Sequence, residues 1–136
     1  MDFVINQEYI LRIILAGLLG AIIGLERKTK HYGIGSRTAA IISITSCSFI
    51  VVGLFLEPTS ISRIIQGIIT GIGFVGGAII WKHRQDHEIV HGITTAVCVW
   101  FLTAIGVLIG MGLYFEGILI TIIVLIILLL KKIGIE

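Results

Sequence analysis

Charged residues are scarce in this chain, and their scarcity excludes an ordinary soluble fold. Only 13% of its 136 residues are Asp, Glu, Lys or Arg, whereas a soluble domain carries roughly 25%. Hydrophobic residues make up 57% of the chain and the mean hydropathy is +1.11. A soluble core cannot bury that much apolar surface, but a helix of about 20 mainly apolar residues crosses the hydrocarbon layer of a membrane. The composition therefore predicts a chain made almost entirely of transmembrane helix.

Cysteine and proline are also rare. Cys47 and Cys98 lie inside apolar runs and lack a Cys-x-x-Cys spacing, so the sequence predicts packing roles for them rather than a disulfide or a redox motif. The one proline, Pro58, lies between two apolar runs, so no proline breaks a span in the manner of discontinuous transporter helices. The net charge of +2 is too small to indicate nucleic-acid binding.

Five apolar runs predict an all-α bundle of five transmembrane helices. The stretch from Gly92 to Leu130 would be nearly 60 Å long as one helix, about twice the hydrocarbon thickness, so it must turn back. Gly110-Met-Gly112 is the expected turn, because two glycines free the backbone there. The predicted spans are residues 9–25, 38–56, 64–81, 92–109 and 113–130.

The basic residues predict the orientation of the bundle, because Lys and Arg are enriched in cytoplasmic loops. Most of them follow spans one, three and five, which places the N-terminus outside and the C-terminus in the cytoplasm. They are Arg27, Lys28, Lys30, Arg37, Lys82, Arg84, Lys131 and Lys132. The opposite side has only Arg63 between spans. Arg12 lies one turn inside span one, where it is expected to reach outward or to pair with Glu8 along the helix.

Glycines spaced four residues apart predict close packing of spans one, three and four, since small residues let helix backbones approach in lipid. The alternative is that glycine is merely common in transmembrane helices. Residues 71–76 match the dinucleotide-binding pattern Gly-x-Gly-x-x-Gly, but that pattern requires a preceding strand, and here it lies within a span. The glycines expected to pack are Gly20, Gly24, Gly67, Gly71, Gly73, Gly76 and Gly77, with a further pair at Gly106 and Gly110. More glycine faces than one small bundle can bury also predict a homo-oligomer, most simply a dimer.

Polar residues inside the spans have two interpretations. Serines and threonines commonly bond to carbonyls of their own helix, whereas the amide of Gln66 needs a partner on another helix, for function or for structure alike. The run His83, His87 and His91 has a spacing suited to a transition metal if it is helical, but a short link between spans is more often a solvated turn. No metal site and no cofactor are therefore expected.

Four motifs occur in order along the chain. They are Gly24-Leu-Glu26-Arg27, Gly35-Ser-Arg37-Thr38, Gln66-Gly-Ile-Ile-Thr-Gly71-Ile-Gly73-Phe-Val-Gly76-Gly77-Ala, and Gly92-Ile-Thr94-Thr95-Ala followed by Trp100. Through these motifs, over residues 10–112, the chain resembles the MgtC/SapB family. His91 stands where that family usually has a basic residue, and Ile93 where it has leucine.

The resemblance implies a multi-pass protein of the inner (plasma) membrane of a bacterium or archaeon, with a hydrophobic domain of five helices. Members of the family are linked to survival under magnesium limitation and, in pathogens, to growth inside macrophages. Many members also carry a soluble cytoplasmic domain after the last span. Residues 1–136 are expected to form a single transmembrane domain of this type without the soluble domain.

The sequence leaves three classes of function to distinguish. The glycine-lined faces favour a non-enzymatic regulator embedded in the lipid bilayer, which contacts a membrane partner such as an ion-motive ATPase through its helices. The alternative is a transporter or channel for Mg²⁺ or another cation. An enzyme is not expected, because the sequence offers no acid–base pair, no nucleophile–base pair and no metal-ligand set beyond the weak histidine run.

The candidate site is a polar cluster at the cytoplasmic end of the bundle. It consists of Glu26, Arg27, Arg37, Thr38, Thr94 and Thr95, with Gln66 in span three. An ion pair between Glu26 and Arg37 is the specific hypothesis, because an unpaired charge bordering the hydrocarbon is costly. Separately solvated charges that anchor the helices at the interface are the alternative.

Overall fold

In the computed structural model, which describes residues 7–28, 34–82 and 92–130, every regular element is an α-helix. The helices are α1 (Gln7–Lys28), α2 (Ser36–Gly53), α3 (Pro58–Lys82), α4 (Ile93–Gly110) and α5 (Tyr114–Leu130). The first four are long and apolar enough to cross a membrane, and α5 is an apolar helix of 17 residues. The prediction of an all-α membrane bundle with five helices is confirmed.

The turn between α4 and α5 lies at the predicted place, whereas α3 begins earlier than predicted. Gly112 adopts a φ of +84°, a left-handed conformation that glycine tolerates and that reverses the chain. Helix α3 begins at Pro58, six residues before the predicted start, because proline fits the first turn of a helix. Arg63 does not end the helix as its charge suggested, since its side chain is exposed and can extend along the helix.

The helices alternate in direction, so the bundle has two chemically different ends. We name the end that carries Glu8, Glu57 and Glu116 the acidic end, and the end that carries Arg27 and Arg37 the basic end. Helices α1, α3 and α5 run from the acidic to the basic end, and α2 and α4 run in the opposite direction.

Helices α1, α2 and α4 form the core and pack through glycines, as predicted for spans one and four. A Cβ atom built at Gly20 would lie 2.6 Å from Ser43 Oγ, and one at Gly24 would lie 2.6 Å from Ser36 Cα. From α4, a Cβ at Gly106 would lie 2.4 Å from the carbonyl oxygen of Ser43 in α2. No side chain fits at these positions without moving backbone, so the glycines allow α1 and α4 to approach α2 closely.

Helix α3 lies outside this core, and the prediction that its glycines pack tightly is wrong within one chain. None of Gly67, Gly71, Gly73 and Gly77 has an atom within 4 Å of the place where its Cβ would lie, and Gly76 only approaches Ala96 at 3.8 Å. No residue of α3 whose side chain the structure describes is buried. Glycine spacing predicts a surface that permits close approach, but it does not say which helix provides the partner.

Candidate functional site

The basic end contains one close contact from the predicted polar cluster. Arg27, in the last turn of α1, donates from Nη2 to Thr95 Oγ1 over 3.0 Å. The side chain of Arg27 is 7% exposed and that of Thr95 is 4% exposed. Arg27 Nε has no hydrogen-bond acceptor among the residues that the structure describes. This contact joins the end of α1 to the first turn of α4 inside the bundle rather than at its surface.

The other predicted members of the cluster are not brought together. Arg37, Thr38 and Thr94 are exposed, and Gln66 lies in the part of α3 nearer the acidic end. Arg37 forms no ion pair within the described ranges, so the predicted pairing with Glu26 is wrong. The reason is helical register. Helix α1 packs on the face of α2 that carries Ser36 and Ala39, and Arg37 lies about 100° away on the same turn.

A second polar cluster lies at the acidic end and is centred on Arg12, whose side chain is 11% exposed. Arg12 pairs through Nη2 with Glu8 Oε1, one turn earlier in α1. It also donates from Nη1 to the carbonyl oxygen of Gly110 over 2.7 Å and from Nε to the Tyr114 hydroxyl over 3.1 Å. The Tyr114 hydroxyl in turn donates to Glu8 Oε1 over 3.2 Å. Of the two alternatives expected for Arg12, the structure shows the pairing with Glu8 along its own helix.

Aromatic rings and a glycine complete the surroundings of Arg12. Its guanidinium carbon lies 5.5 Å from the ring centroid of Tyr9 and 5.9 Å from that of Tyr114, within the range of cation–π attraction. A Cβ at Gly112 would lie 3.1 Å from Arg12 Nη2. The contacts to α4 and α5 were missed from the sequence. The signal that could have found them is the general rule that an arginine within a span seeks carbonyls and polar partners on neighbouring helices.

An open groove separates α2 from α3. Its volume is about 470 Å³, and Gly67, Gly71, Thr45, Ser46 and Thr103 are among its lining residues. Ser46 Oγ donates to the carbonyl of Ile42 over 3.0 Å, and Thr103 Oγ1 donates to that of Val99 over 3.2 Å. These hydroxyls are thus satisfied by their own helices.

The rest of the groove lining is aliphatic or aromatic. Those residues are Ile41, Ile42, Phe49, Ile64, Ile68 and Ile72. The groove is therefore an apolar cleft, and none of its lining residues is charged.

Metal chemistry finds no support in the described ranges. No group of three or more His, Cys, Asp or Glu side chains that could hold a metal ion occurs among residues 7–28, 34–82 and 92–130. The run His83, His87 and His91, for which metal binding was one interpretation, lies outside the described residues.

A family model and individual relatives both match most of this chain. The model of the MgtC family matches residues 13–134. Protein MgtC of Salmonella typhimurium strain LT2 is 38% identical over 117 residues, which cover 86% of this chain and 49% of that protein.

Two further relatives show similar coverage. YhiD of Escherichia coli strain K12, which is named as a proposed magnesium transporter, is 35% identical over 125 residues, covering 83% of this chain and 55% of YhiD. An uncharacterized protein of Haemophilus influenzae is 32% identical over 125 residues, covering 85% of this chain and 52% of that protein. The chain thus spans about half the length of the curated relatives that it matches. No solved structure matches it.

Proposed function

The chain belongs to the MgtC family, and from this premise we propose that it is a small non-enzymatic regulator in the inner membrane. Its role is in adaptation to magnesium limitation and in intracellular survival. It acts through lateral contacts between its helices and a membrane partner, of which an ion-motive ATPase is the best candidate. The resemblance to proteins linked to magnesium supports the physiological part, and the uncovered helix α3 supports the mode of action.

The proposal rests on the exposure of α3: none of its described side chains is buried within the chain. If α3 made all its helix contacts within one chain, its glycines would be expected to touch a neighbouring helix of the same chain, because small residues serve close approach. Instead Gly67 and Gly71 line the open groove with nothing within 4 Å of their missing side chains. In lipid, helices associate through close packing and not through a hydrophobic driving force, so such glycines favour a transmembrane helix as the occupant.

The groove is large enough for side chains of a partner helix. Its volume of about 470 Å³ is enough for several aliphatic side chains, and two of its three hydroxyls, those of Ser46 and Thr103, are bonded to their own helices. The proposed contact is therefore apolar: branched side chains of one partner helix enter between α2 and α3, next to Gly67 and Gly71. No catalytic step is required of such a protein, in keeping with the proposal that it is not an enzyme.

A cation transporter is the second candidate, and the observation that favours it is the similarity to YhiD, which is named as a proposed magnesium transporter. Magnesium binds through carboxylates and sheds its water reluctantly, so a path for it needs acidic or carbonyl oxygens, or a pore wide enough for the hydrated ion. The groove between α2 and α3 has no carboxylate in its lining. The chemistry of the groove therefore favours the regulator.

The experiment is site-specific photo-cross-linking in native membranes of cells starved of magnesium. A photoreactive residue replaces Ile68, which lines the groove, and a matched control carries it at Leu18, an exposed position on α1. We expect the Ile68 probe to capture an ion-motive ATPase, identified by mass spectrometry, and the Leu18 probe not to capture it. Equal capture at both positions, or capture of the ATPase at neither, overturns the proposal.

A further inference from the structure

Four exposed residues of α3 form a seam on a face different from the groove. The Gln66 seam consists of Gln66, Thr70, Gly73 and Gly77, all of them exposed. Their spacings of four, three and four residues place them within an arc of about 60° on a helix of 3.6 residues per turn. The groove glycines Gly67 and Gly71 lie about 90° and about 130° around the helix from the centre of the seam. The two surfaces can therefore have different occupants.

The seam presents a polar group that hydrocarbon cannot satisfy. Gln66 lies four residues from Thr70, the middle residue of α3, which places it ~6 Å along the axis from the centre of the span. Its carboxamide forms no hydrogen bond within the part of the chain that the structure describes. The Thr70 hydroxyl, by contrast, donates to the backbone carbonyl of Gln66 over 2.9 Å and is satisfied. Gln66 is thus the group on this face that requires a donor and an acceptor from another helix.

We propose that the Gln66 seam joins α3 to α3 of a second copy of this chain, with the two Gln66 carboxamides hydrogen-bonded to each other. Two copies in one membrane share the same orientation, so a closed dimer has its two-fold axis along the membrane normal and the two α3 helices run parallel. Each seam residue then faces its own counterpart. A carboxamide suits this position because it carries both a donor and an acceptor, and identical amides therefore bond reciprocally.

The remaining seam residues fit the same occupant. Spacings that alternate between four and three residues are those of a left-handed helix pair, in which a polar residue at one core position fixes the register. Gly73 and Gly77 lack side chains and allow the two backbones to approach beyond Thr70. Acyl chains offer neither donor nor acceptor to Gln66, so lipid alone does not explain the seam. A dimer built this way leaves the groove of each copy open, and the inference is independent of the proposed function.

The test measures self-association of the full chain in liposomes by energy transfer between donor- and acceptor-labelled copies over a range of protein-to-lipid ratios. We expect saturable transfer for the native chain and a dissociation constant raised about threefold to thirtyfold in Gln66→Leu, the range expected for loss of an interhelical hydrogen bond. Gln66→Asn retains the carboxamide and is expected to weaken association less. The matched control is Gly71→Leu, which alters the groove face of α3 and is expected to leave association unchanged.

Cysteine cross-linking tests the geometry directly and does not depend on the strength of association. Cys47 and Cys98 are buried and remain in place while one cysteine is added on α3. We expect rapid disulfide formation between copies at Thr70→Cys and Gly73→Cys, and slow formation at Gly67→Cys and Gly71→Cys. A Cβ at Gly67, Gly71 or Gly73 would meet nothing within 4 Å, and Thr70→Cys loses a hydrogen bond to the carbonyl of Gln66 in its own helix. Helicity by circular dichroism should therefore be unaltered.

Two outcomes overturn the inference. One is energy transfer that Gln66→Leu leaves unchanged, or that is absent in the native chain at every ratio. The other is faster cross-linking at the groove positions than at the seam. Photo-cross-linking from Ile68 in the Gln66→Leu variant distinguishes this inference from the proposed function. If the probe captures an ATPase while the native chain shows no self-association, the regulator is supported and the dimer is ruled out.

Discussion

Arg12 of α1 donates to the carbonyl oxygen of Gly110 at the end of α4, over 2.7 Å. Gly110 is also in contact with α2, since a Cβ built there would lie 2.8 Å from Ile50 Cβ. One buried guanidinium therefore ties α1 to the part of α4 that packs on α2. Together with the bond to Tyr114, it holds the α4–α5 turn against the acidic end of the core.

The first prediction concerns this tie. Arg12→Lys keeps the positive charge but cannot bond Glu8, Gly110 and Tyr114 at once, because lysine lacks the planar fork of arginine. We expect the variant to lower the free energy of unfolding by about 1–3 kcal/mol, the range for lost hydrogen bonds to a charged group. Unfolding in mixed micelles measures it. Arg63→Lys, at an exposed arginine near the same end, is the control and should be neutral; equal stability of both variants would contradict the role given to Arg12.

A second prediction separates the two kinds of glycine. Gly106→Ala places a Cβ 2.4 Å from the carbonyl oxygen of Ser43, and backbone cannot yield as a flexible side chain does. We expect a loss of about 1–3 kcal/mol from overpacking, measured as unfolding in mixed micelles. Gly71→Ala meets nothing within 4 Å and should be neutral or stabilising by up to about 1 kcal/mol, because alanine favours helix over glycine. Equal destabilisation by the two substitutions would contradict the described position of α3.

The different fates of these glycines show how far sequence reasoning reaches. Apolar runs, turn glycines and basic loops predict the number and alternation of the helices, because these depend on hydrocarbon thickness and backbone conformation. The start of α3 was the exception among the boundaries, since the helix begins at Pro58. They do not specify which helices are neighbours. Gly24 and Gly71 have the same spacing pattern in the sequence, yet only Gly24 meets another helix within the chain. That difference depends on the rotation of each helix about its axis, which tertiary packing decides.

The candidate site shows the same limit. Charge at the span ends predicted a polar cluster at the basic end, and Arg27 and Thr95 do meet there. The pairing of Glu26 with Arg37 was wrong, because it depends on the rotation of α2, which places Arg37 on the outside of the bundle. Arg27, at the end of α1, lies inside. The Arg12 cluster was only partly foreseen. A pairing four residues along one helix is local and predictable, whereas the carbonyl of Gly110 belongs to a residue 98 positions away.

The third prediction tests the contact at the basic end. Thr95→Val removes the hydroxyl that accepts from Arg27 and keeps nearly the same volume. Since a buried guanidinium then loses an acceptor, we expect destabilisation of about 1–3 kcal/mol in thermal or denaturant unfolding of the detergent-solubilised protein. Thr95→Ser should restore most of the loss because it restores the hydroxyl. Thr94→Val, at the exposed neighbour, is the control, and a loss there as large as at Thr95 would show that the hydrogen bond is not the cause.

The last prediction is that the purified chain in liposomes does not carry Mg²⁺ at a rate useful for uptake. Glu8, Glu57 and Glu116 lie at the acidic end and Glu26 lies at the basic end, so the described spans hold no carboxylate between those levels where a dehydrating ion needs one. A fluorescent Mg²⁺ indicator inside the vesicles measures the flux, with an ionophore as positive control. Flux that saturates with Mg²⁺ concentration and disappears in Ser46→Leu, which fills the groove between α2 and α3, would make the groove a conduction path. In that case the transporter would replace the regulator as the better account of the family resemblance.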